Sequence, residues 1–334
     1  MNRRKFMKTV AGGVFVMMAG EGVNGDVSAQ GLAPSSKVRG KTKVALIKTS
    51  DRSAGIKRSI QLLEVNPVEG KRVLLKPNFN TADPFPASTH NDTLIHLVAE
   101  LKKMGAKSIT IGERSGPPDT ADVLREKGIY ELCQRLGIGL INFEELPVSE
   151  WVRVSPPQNH WHAGFMVAKP VLDADCVVTT CCLKTHGYGG VFTMSLKLSV
   201  GIVNKSNMRE LHTSFLSQRK MIAEINQAYS PALILLDGIE AFVDKGPMKG
   251  EKKQGNVILA CTDRIAIDAV GLAVLKELGS NRDIMEKQIF SQEQIARAVE
   301  LGLGVRNADE IEIVTDDEAG RRYAEKLRMI LAKG

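Results

Sequence analysis

Residues 72–76 read R-V-L-L-K, a short apolar run that stops abruptly at Pro77-Asn78. An apolar run of this length, bounded by a proline, indicates a buried strand. The residues from Asp92 to Gly105 then carry apolar side chains at helical spacing, with Asp92 suited to the N-cap and Gly105 to the C-cap. A buried strand followed by an amphipathic helix is the repeating unit of a parallel α/β sheet. This segment therefore determines the fold class that we expect.

The same alternation of strand and helix continues on both sides of this unit. Near-continuous apolar strands between amphipathic helices predict an α/β fold, with a mainly parallel sheet, helices on both faces and Rossmann-like layers. The remaining predicted strands are Val44–Lys48, Ser108–Gly112, Asp175–Cys182, Ala232–Leu236, Val257–Cys261 and Ile311–Val314. The remaining predicted helices are Ile56–Leu63, Ala121–Leu136, Ser214–Tyr229, Ile265–Leu278, Gln292–Leu301 and Arg321–Ala332.

The composition is that of an ordinary globular protein. Of 334 residues, 43% are hydrophobic and 25% charged, which excludes a disordered chain and a polytopic membrane protein. The aromatic share of 5% argues against a stacking platform for single-stranded nucleic acid or sugars. Five cysteines are too few for a disulfide scaffold.

The N-terminus has the order of features found in a secretory signal peptide. A basic region containing Arg3-Arg4 precedes a short apolar stretch, Thr9–Gly20, and the small residues Val27-Ser28-Ala29 follow. The run R-R-K-F-M-K resembles a twin-arginine export signal, and the apolar stretch is too short to span a bilayer. The alternatives are a basic N-terminus of a cytoplasmic protein and an uncleaved anchor.

This interpretation sets the expected domain organisation and location. Residues 1–29 are the predicted signal peptide, 30–42 a linker, and 43–334 the α/β domain, with lobes of about 43–150 and 165–334. We expect export to the periplasm or another extracytoplasmic space, with the twin-arginine translocase as partner and no stable transmembrane span after cleavage.

The net charge of the mature chain bears on its ligands. The full chain carries +7, and cleavage removes four basic and two acidic residues, which leaves +5. This excess favours an anionic small molecule or an anionic membrane surface, and nucleic acid is not an expected partner outside the cytoplasm.

Polar residues cluster where the predicted strands end. In open parallel sheets, ligands bind beyond the carboxyl ends of the strands. We therefore predict a site there, in which lysines bind an anion and other groups perform acid–base chemistry or ligate a hard metal. The alternative is that each residue only caps a following helix or turn. The predicted ligand-binding residues are Lys76, Asn78, Lys184, Thr185 and Lys197, and the predicted catalytic residues are Glu113, His186, Asp237 and Asp263.

Seven short motifs recur along the chain in a fixed order. They are Lys76-Pro77-Asn78, Thr89-His90, Lys184-Thr185-His186, Ser195-Leu196-Lys197 with Gly201, Asp237-Gly238-Ile239, Gly246-Pro247 with Gly250, and Thr262-Asp263 with Asp268. Together they resemble the family called domain of unknown function 362, and the resemblance extends from about Val44 to Gly279. The family has no settled activity, so the resemblance leaves the reaction open.

The chain departs from the family in two places. Cys181-Cys182 stands where the family has Pro-Lys, and Leu198 where it has Asn. Some members of the family carry a ferredoxin-like cluster domain, but this sequence has no C-x-x-C-x-x-C run and hence no iron–sulfur motif of its own. A metal or a small cofactor stays open.

Three further segments have two interpretations each. Cys182 is either a buried small hydrophobe or a thiol activated by the nearby Lys184. His160 and His162 form either a surface pair or a zinc or copper site. The basic stretch from Asp244 to Gln254 is either a lid over an anion or a solvated turn.

Two classes of function are therefore compatible with the sequence. One is an exported enzyme that acts on an anionic small molecule or a cofactor at the strand ends. The other is a non-catalytic carrier that accompanies an extracytoplasmic redox partner. An enzyme needs a perturbed titratable group within reach of the ligand, whereas a carrier needs only a complementary pocket.

Overall fold

A nine-stranded mixed sheet organises residues 40–333, which are the residues that the computed structural model describes. The predicted signal peptide lies outside the described residues, as does nearly all of the predicted linker. The strands are β1 Thr42–Lys48, β2 Arg72–Lys76, β3 Ser108–Glu113, β4 Gly139–Asn142, β5 Trp151–Val154, β6 Phe165–Ala168, β7 Cys176–His186, β8 Val191–Thr193, β9 Pro231–Lys245, β10 Gly250–Cys261 and β11 Ile311–Val314.

Helices connect most of these strands. Between the strands and at the end of the described chain lie α1 Arg52–Leu62, α2 Asn91–Lys103, α3 Thr120–Glu126, α4 Ile129–Leu136, α5 Lys169–Leu172, α6 Ser195–Leu198, α7 Met208–Thr213, α8 Gln218–Ile225, α9 Arg264–Leu278, α10 Arg282–Met285, α11 Glu293–Glu300 and α12 Glu318–Lys333. No helix within residues 40–333 combines the length and the apolarity that crossing a bilayer would need.

The strand order of the sheet is β11-β1-β10-β9-β7-β2-β3-β4, and β8 pairs with β7. The pairs β11–β1, β9–β7, β7–β2, β2–β3 and β3–β4 are parallel. Strand β10 runs antiparallel to both β1 and β9, and β8 runs antiparallel to β7. Strands β5 and β6 form a separate antiparallel pair. The prediction of an α/β fold with a mainly parallel sheet is confirmed.

The two faces of the sheet bury two apolar cores. Successive residues of a strand point to opposite faces. On β9, Leu236 packs in the core that holds Val270 of α9, whereas Leu235 packs in the core that holds Leu97 of α2. Helices therefore cover both faces of the sheet, as the sequence predicts.

Two predicted helices are wrong in their extent. The predicted helix Ala121–Leu136 is divided into α3 and α4 at Gly128, whose φ of 65° lies in the left-handed region that helices exclude. Of the predicted helix Ser214–Tyr229, only the part from Gln218 to Ile225 forms α8. In the first case a single glycine overrides a helical pattern on both of its sides.

Candidate functional site

A cavity lies at the carboxyl ends of three neighbouring strands, with about 420 Å³ of empty space including its open mouth. Parallel strands end at the same edge, which brings Lys76 of β2, Glu113 of β3 and Lys184 of β7 to one place. These three strand-end residues lie together, as the sequence predicts. The cavity is also lined by Asn78, Phe79, Asn80, Arg114, His186, Thr193, Lys197, Leu198, Val200, Gly201 and Pro247.

Lys76 and Glu113 form a buried ion pair on one wall of this cavity. Only 2% of Lys76 and 1% of Glu113 are exposed. The Lys76 Nζ also donates to Pro77 O at 2.7 Å. The Glu113 carboxylate accepts backbone N–H bonds from Phe79 at 2.9 Å and from Arg114 at 2.8 Å. Burial lowers the pKa of Lys76 and raises that of Glu113, although their mutual attraction opposes both shifts.

Gly201 is fitted against this ion pair. A Cβ at this position would lie 2.7 Å from Lys76 Nζ and 3.0 Å from Glu113 Oε1. Only glycine lets the backbone approach the two charged groups so closely.

Lys184 is fully buried and points its ammonium at neutral oxygens. Its Nζ donates to Asn78 Oδ1 at 2.7 Å and to the carbonyl oxygen of Ala87. Asn78 is held in turn, because its backbone N–H donates to Thr89 Oγ1 at 2.8 Å. Burial lowers the pKa of Lys184 to about 8. Asn78 therefore orients a cation that no carboxylate of residues 40–333 pairs with.

Arg114 is a buried cation that the sequence analysis missed. Its guanidinium donates to Val203 O and Ser115 O, both at 2.8 Å, and to Val200 O. Burial lowers its pKa to about 10. In the sequence it stands in the turn G-E-R-S-G, where an arginine is usually solvated. Its position directly after the strand-end Glu113 was the available signal.

Lys197 is held at the cavity by the short helix α6. The Asp268 carboxylate of α9 accepts the backbone N–H groups of Ser195 at 2.7 Å and Leu196 at 2.9 Å, which anchors the first turn of α6. Within residues 40–333, Lys197 Nζ has no hydrogen-bond or ion-pair partner. Burial, together with the charges of Lys184 and Arg114, lowers the pKa of Lys197 to about 7. Burial also raises the pKa of Asp268 to about 7.

His186 is held as a neutral imidazole at the cavity. Its Nδ1 accepts the backbone N–H groups of Tyr188 and Gly190, both at 3.3 Å. An acceptor at Nδ1 places the ring proton on Nε2. Burial and the charges of Lys197 and Lys184 lower the pKa of His186 far below its usual range. His186 is therefore a hydrogen-bond donor, and protonating it is costly.

Thr193 supplies another neutral polar group, beside His186. The sequence analysis missed it. It lies opposite Lys184 in the β7–β8 pair, and its Oγ1 is buried without a hydrogen-bond partner in the described chain. This hydroxyl is therefore available to hydrogen-bond a group that enters the cavity. Its place in a three-residue strand gave no sequence signal.

Three predicted site residues do not line this cavity. Thr185 points to the other face of β7, as alternation along a strand requires. Asp237 accepts from Arg52 Nε at 2.8 Å and from Thr93 Oγ1 at 2.6 Å. Asp263 lies at the opposite edge of the sheet from Lys76.

We expected the polar residues at the ends of the predicted strands to lie at one edge of the sheet, and this expectation is wrong for Asp263. Because β10 runs antiparallel, its last residue, Cys261, pairs with Ile234 near the start of β9. Asp263 follows there and caps α9, accepting from Ile265 N at 2.8 Å and Ala266 N at 2.9 Å. Here the alternative interpretation, a helix cap, describes the contacts.

The four predicted acid–base or metal-binding residues are not gathered at one point. Glu113 and His186 line the cavity, and Asp237 and Asp263 do not. Within residues 40–333, no group of three or more histidine, cysteine or acidic side chains could hold a metal ion.

The structure also shows the surroundings of the three segments for which the sequence allows two interpretations each. Cys182 is buried, and burial raises the pKa of its thiol to about 11 against the effect of Lys184, which disfavours an activated thiolate. His160 Nδ1 lies 2.6 Å from Glu224 Oε1 rather than facing His162 in a metal site. In the basic stretch, Pro247 contributes to the cavity wall.

The charges of the cavity suit an anion. Four cationic side chains line it, and Glu113 is the one acidic side chain among its lining residues. Glu113 is already paired with Lys76, so Arg114, Lys184 and Lys197 have no counter-charge in the lining. Buried cations are normally paired, and their electrostatic field favours a negatively charged group.

The fold and this cavity define an α/β protein with a cationic pocket at the carboxyl ends of its parallel strands. Residues 73–273 match the family model of the Domain of unknown function (DUF362), and the chain belongs to this family. The match covers more than half of the chain and includes all of the cationic residues of the pocket.

The proteins that are similar to this chain include a curated relative and a solved structure. The thylakoid-associated protein sll1697 of Synechocystis sp. (strain ATCC 27184 / PCC 6803 / Kazusa) is 27% identical over 212 residues, which are 62% of this chain and 64% of that protein. The chain thus matches less than two thirds of the length of this relative. The structure of the lactate racemase apoprotein from Thermoanaerobacterium thermosaccharolyticum has a TM-score of 0.41 and 15% identity, over 63% of this chain and 52% of that chain. A likeness this distant carries no functional argument.

Proposed function

We propose that this protein binds a small anionic molecule, with a carboxylate or phosphate group, in the cavity at the ends of β2, β3 and β7. The observation that carries the proposal is the charge of the cavity. Arg114, Lys184 and Lys197 are cationic side chains of the lining without an acidic partner there. A bound anion would supply the missing counter-charge.

The unpartnered Thr193 hydroxyl and the Nε2–H of His186 support the same proposal. Both groups line the cavity and are available to hydrogen-bond a ligand oxygen.

We also propose that the protein works outside the cytoplasm. The support is the sequence of residues 1–29, which has the basic, apolar and small-residue segments of an export signal. The twin-arginine translocase would then be its partner during export, and it would deliver the chain to the periplasm already folded.

Titration of the full-length chain with acetate and with inorganic phosphate, at constant ionic strength, tests the binding proposal. A ligand at about a hundredfold excess over its Kd stabilises the folded state by about 2.7 kcal/mol, which raises the melting temperature of a chain of this length by about 4 °C. Isothermal titration calorimetry gives the Kd directly.

Two lysine substitutions sharpen this test. Lys197→Gln removes a cationic head at the cavity and is expected to weaken binding of the probe at least about tenfold. Lys107→Gln makes the same chemical change at an exposed position just before β3, at the other end of that strand, and is expected to leave binding unchanged. Equal affinity in both variants would remove the cavity as the binding site, and no binding of either probe to the wild-type chain would refute the proposal.

A further inference from the structure

Lys197 differs from the other cations of the cavity in its surroundings. The ammonium of Lys76 is paired with Glu113, and that of Lys184 is bonded to Asn78 and Ala87. The guanidinium of Arg114 is bonded to three carbonyl oxygens. Among these four side chains, Lys197 alone has no bonding partner in the described chain, so its nitrogen is free to react.

Neutral donors lie beside this amine. A Cβ at Gly190 would lie 2.7 Å from Lys197 Cε and 2.9 Å from His186 Nδ1, so the lysine and the imidazole are neighbours across that glycine. His186 carries its proton on Nε2, and the Thr193 hydroxyl is unpartnered. The cavity therefore contains both cations, which suit a carboxylate, and neutral donors, which suit an uncharged oxygen.

We propose that the ligand is a small oxo acid, and that the amine of Lys197 forms an imine with its carbonyl carbon. This inference rests on the proposed function, because the carboxylate of the oxo acid is the anion that the cavity binds. Arg114 and Lys184 would face the carboxylate, and the Nε2–H of His186 would donate to the carbonyl oxygen.

The reaction is balanced without a further reagent. The nitrogen lone pair of Lys197 attacks the carbonyl carbon, and the C=O π electrons move to oxygen to give a carbinolamine. The C–O bond then breaks, the C=N bond forms, and the oxygen leaves as water with the two protons that the amine gives up. No oxidant or reductant is consumed.

The pKa of Lys197, lowered to about 7, supports this chemistry. At neutral pH about half of the Lys197 side chains are then uncharged, against roughly one in a thousand or fewer for an exposed lysine. Asp268, through its bonds to Ser195 and Leu196, holds the helix that presents the amine and is a positioning residue.

Reductive trapping tests the inference on the full-length chain. The protein is incubated with pyruvate and sodium cyanoborohydride, which reduces an imine to a stable amine, and is then mapped by peptide mass spectrometry. We expect the mass increase of one reduced pyruvate unit on Lys197, at a rate at least about tenfold above that of the other lysines. We expect excess acetate, which has the carboxylate but no ketone, to slow the labelling.

The variant Lys197→Arg separates the inference from the proposed function. Arginine keeps the positive charge but is not a nucleophile at neutral pH, so we expect acetate binding to remain while the rapid adduct disappears. Acetate binding by the wild-type chain without preferential labelling of Lys197 would overturn the imine and leave the anion site standing. Labelling that acetate does not slow would overturn the oxo acid as the substrate class. Failure of the wild-type chain to bind any anion would refute the proposed function first.

Discussion

Replacing Glu113 by glutamine tests how much the buried ion pair on one wall of the cavity contributes to stability. Both partners are almost fully buried, so neither can exchange its partner for water. The Glu113→Gln amide keeps an oxygen for the backbone N–H of Phe79 or Arg114. The ammonium of Lys76 then loses its counter-charge and has only neutral oxygens, such as Pro77 O, around it. An uncompensated charge is left in the interior.

Breaking a buried pair in this way costs about 3–5 kcal/mol of the free energy of unfolding. This is a large fraction of the roughly 5–15 kcal/mol that folded domains possess. Urea denaturation followed by circular dichroism measures it, and the fluorescence of the buried Trp151 and Trp161 provides a second probe.

Two controls make the test specific. The double variant Lys76→Met, Glu113→Gln removes the orphaned charge and is expected to recover at least about half of the loss. Asp122→Asn breaks an exposed pair with Arg125 and is expected to change stability by less than about 0.5 kcal/mol. A loss below about 1 kcal/mol in Glu113→Gln, or a double variant as unstable as the single one, would refute the buried-charge reasoning.

Four other outcomes are expected. The pKa of Lys197 is lower in the folded chain than its ordinary value of 10.5, so the unfolded chain binds more protons between about pH 7 and 10. The free energy of unfolding that this group contributes therefore rises with pH in that window. Lys197→Met should flatten this rise, as measured by urea titrations at several pH values. Affinity for acetate, measured by calorimetry, should fall as the pH rises past about 7 and then 8, as Lys197 and then Lys184 lose their protons. Gly190→Ala should weaken acetate binding about tenfold in a chain with unchanged circular dichroism, because its Cβ would displace the lysine. Replacing Arg3 and Arg4 by lysine should leave the unprocessed precursor in the cytoplasm on fractionation, and normal processing would contradict the export proposal.

The sequence predicts two strands of the sheet, β2 and β11, with their observed bounds, but it does not predict β4 or β8. The bounds of β2, Arg72–Lys76, are predicted because its three apolar residues, Val73 to Leu75, lie between two basic residues and a proline follows directly. The polar residues after such strands meet because parallel strands end at one edge. Lys76, Glu113, Lys184 and His186 were found in this way.

The direction of β10 could not be predicted from its apolar pattern. Its predicted core, Val257–Cys261, lies far along the chain from the predicted strand Ala232–Leu236, which is compatible with a parallel crossover. In the structure β9 and β10 are much longer than these cores and are separated only by residues 246–249, and so short a connection requires an antiparallel pair. The extensions are polar and exposed in part, so hydrophobicity does not reveal them.

The length of β7 limits which insertions and deletions this protein can tolerate. All eleven residues of the strand are buried, and Lys184 and His186 reach the cavity while Leu183 packs in the apolar core behind. One residue added to or removed from the strand before Lys184 would exchange the two faces, turning an ammonium into the apolar core and a leucine toward the ligand. Loops elsewhere can vary in length without this penalty. Members of the family that keep this cavity should therefore differ in length outside β7, or within it only by residues in pairs.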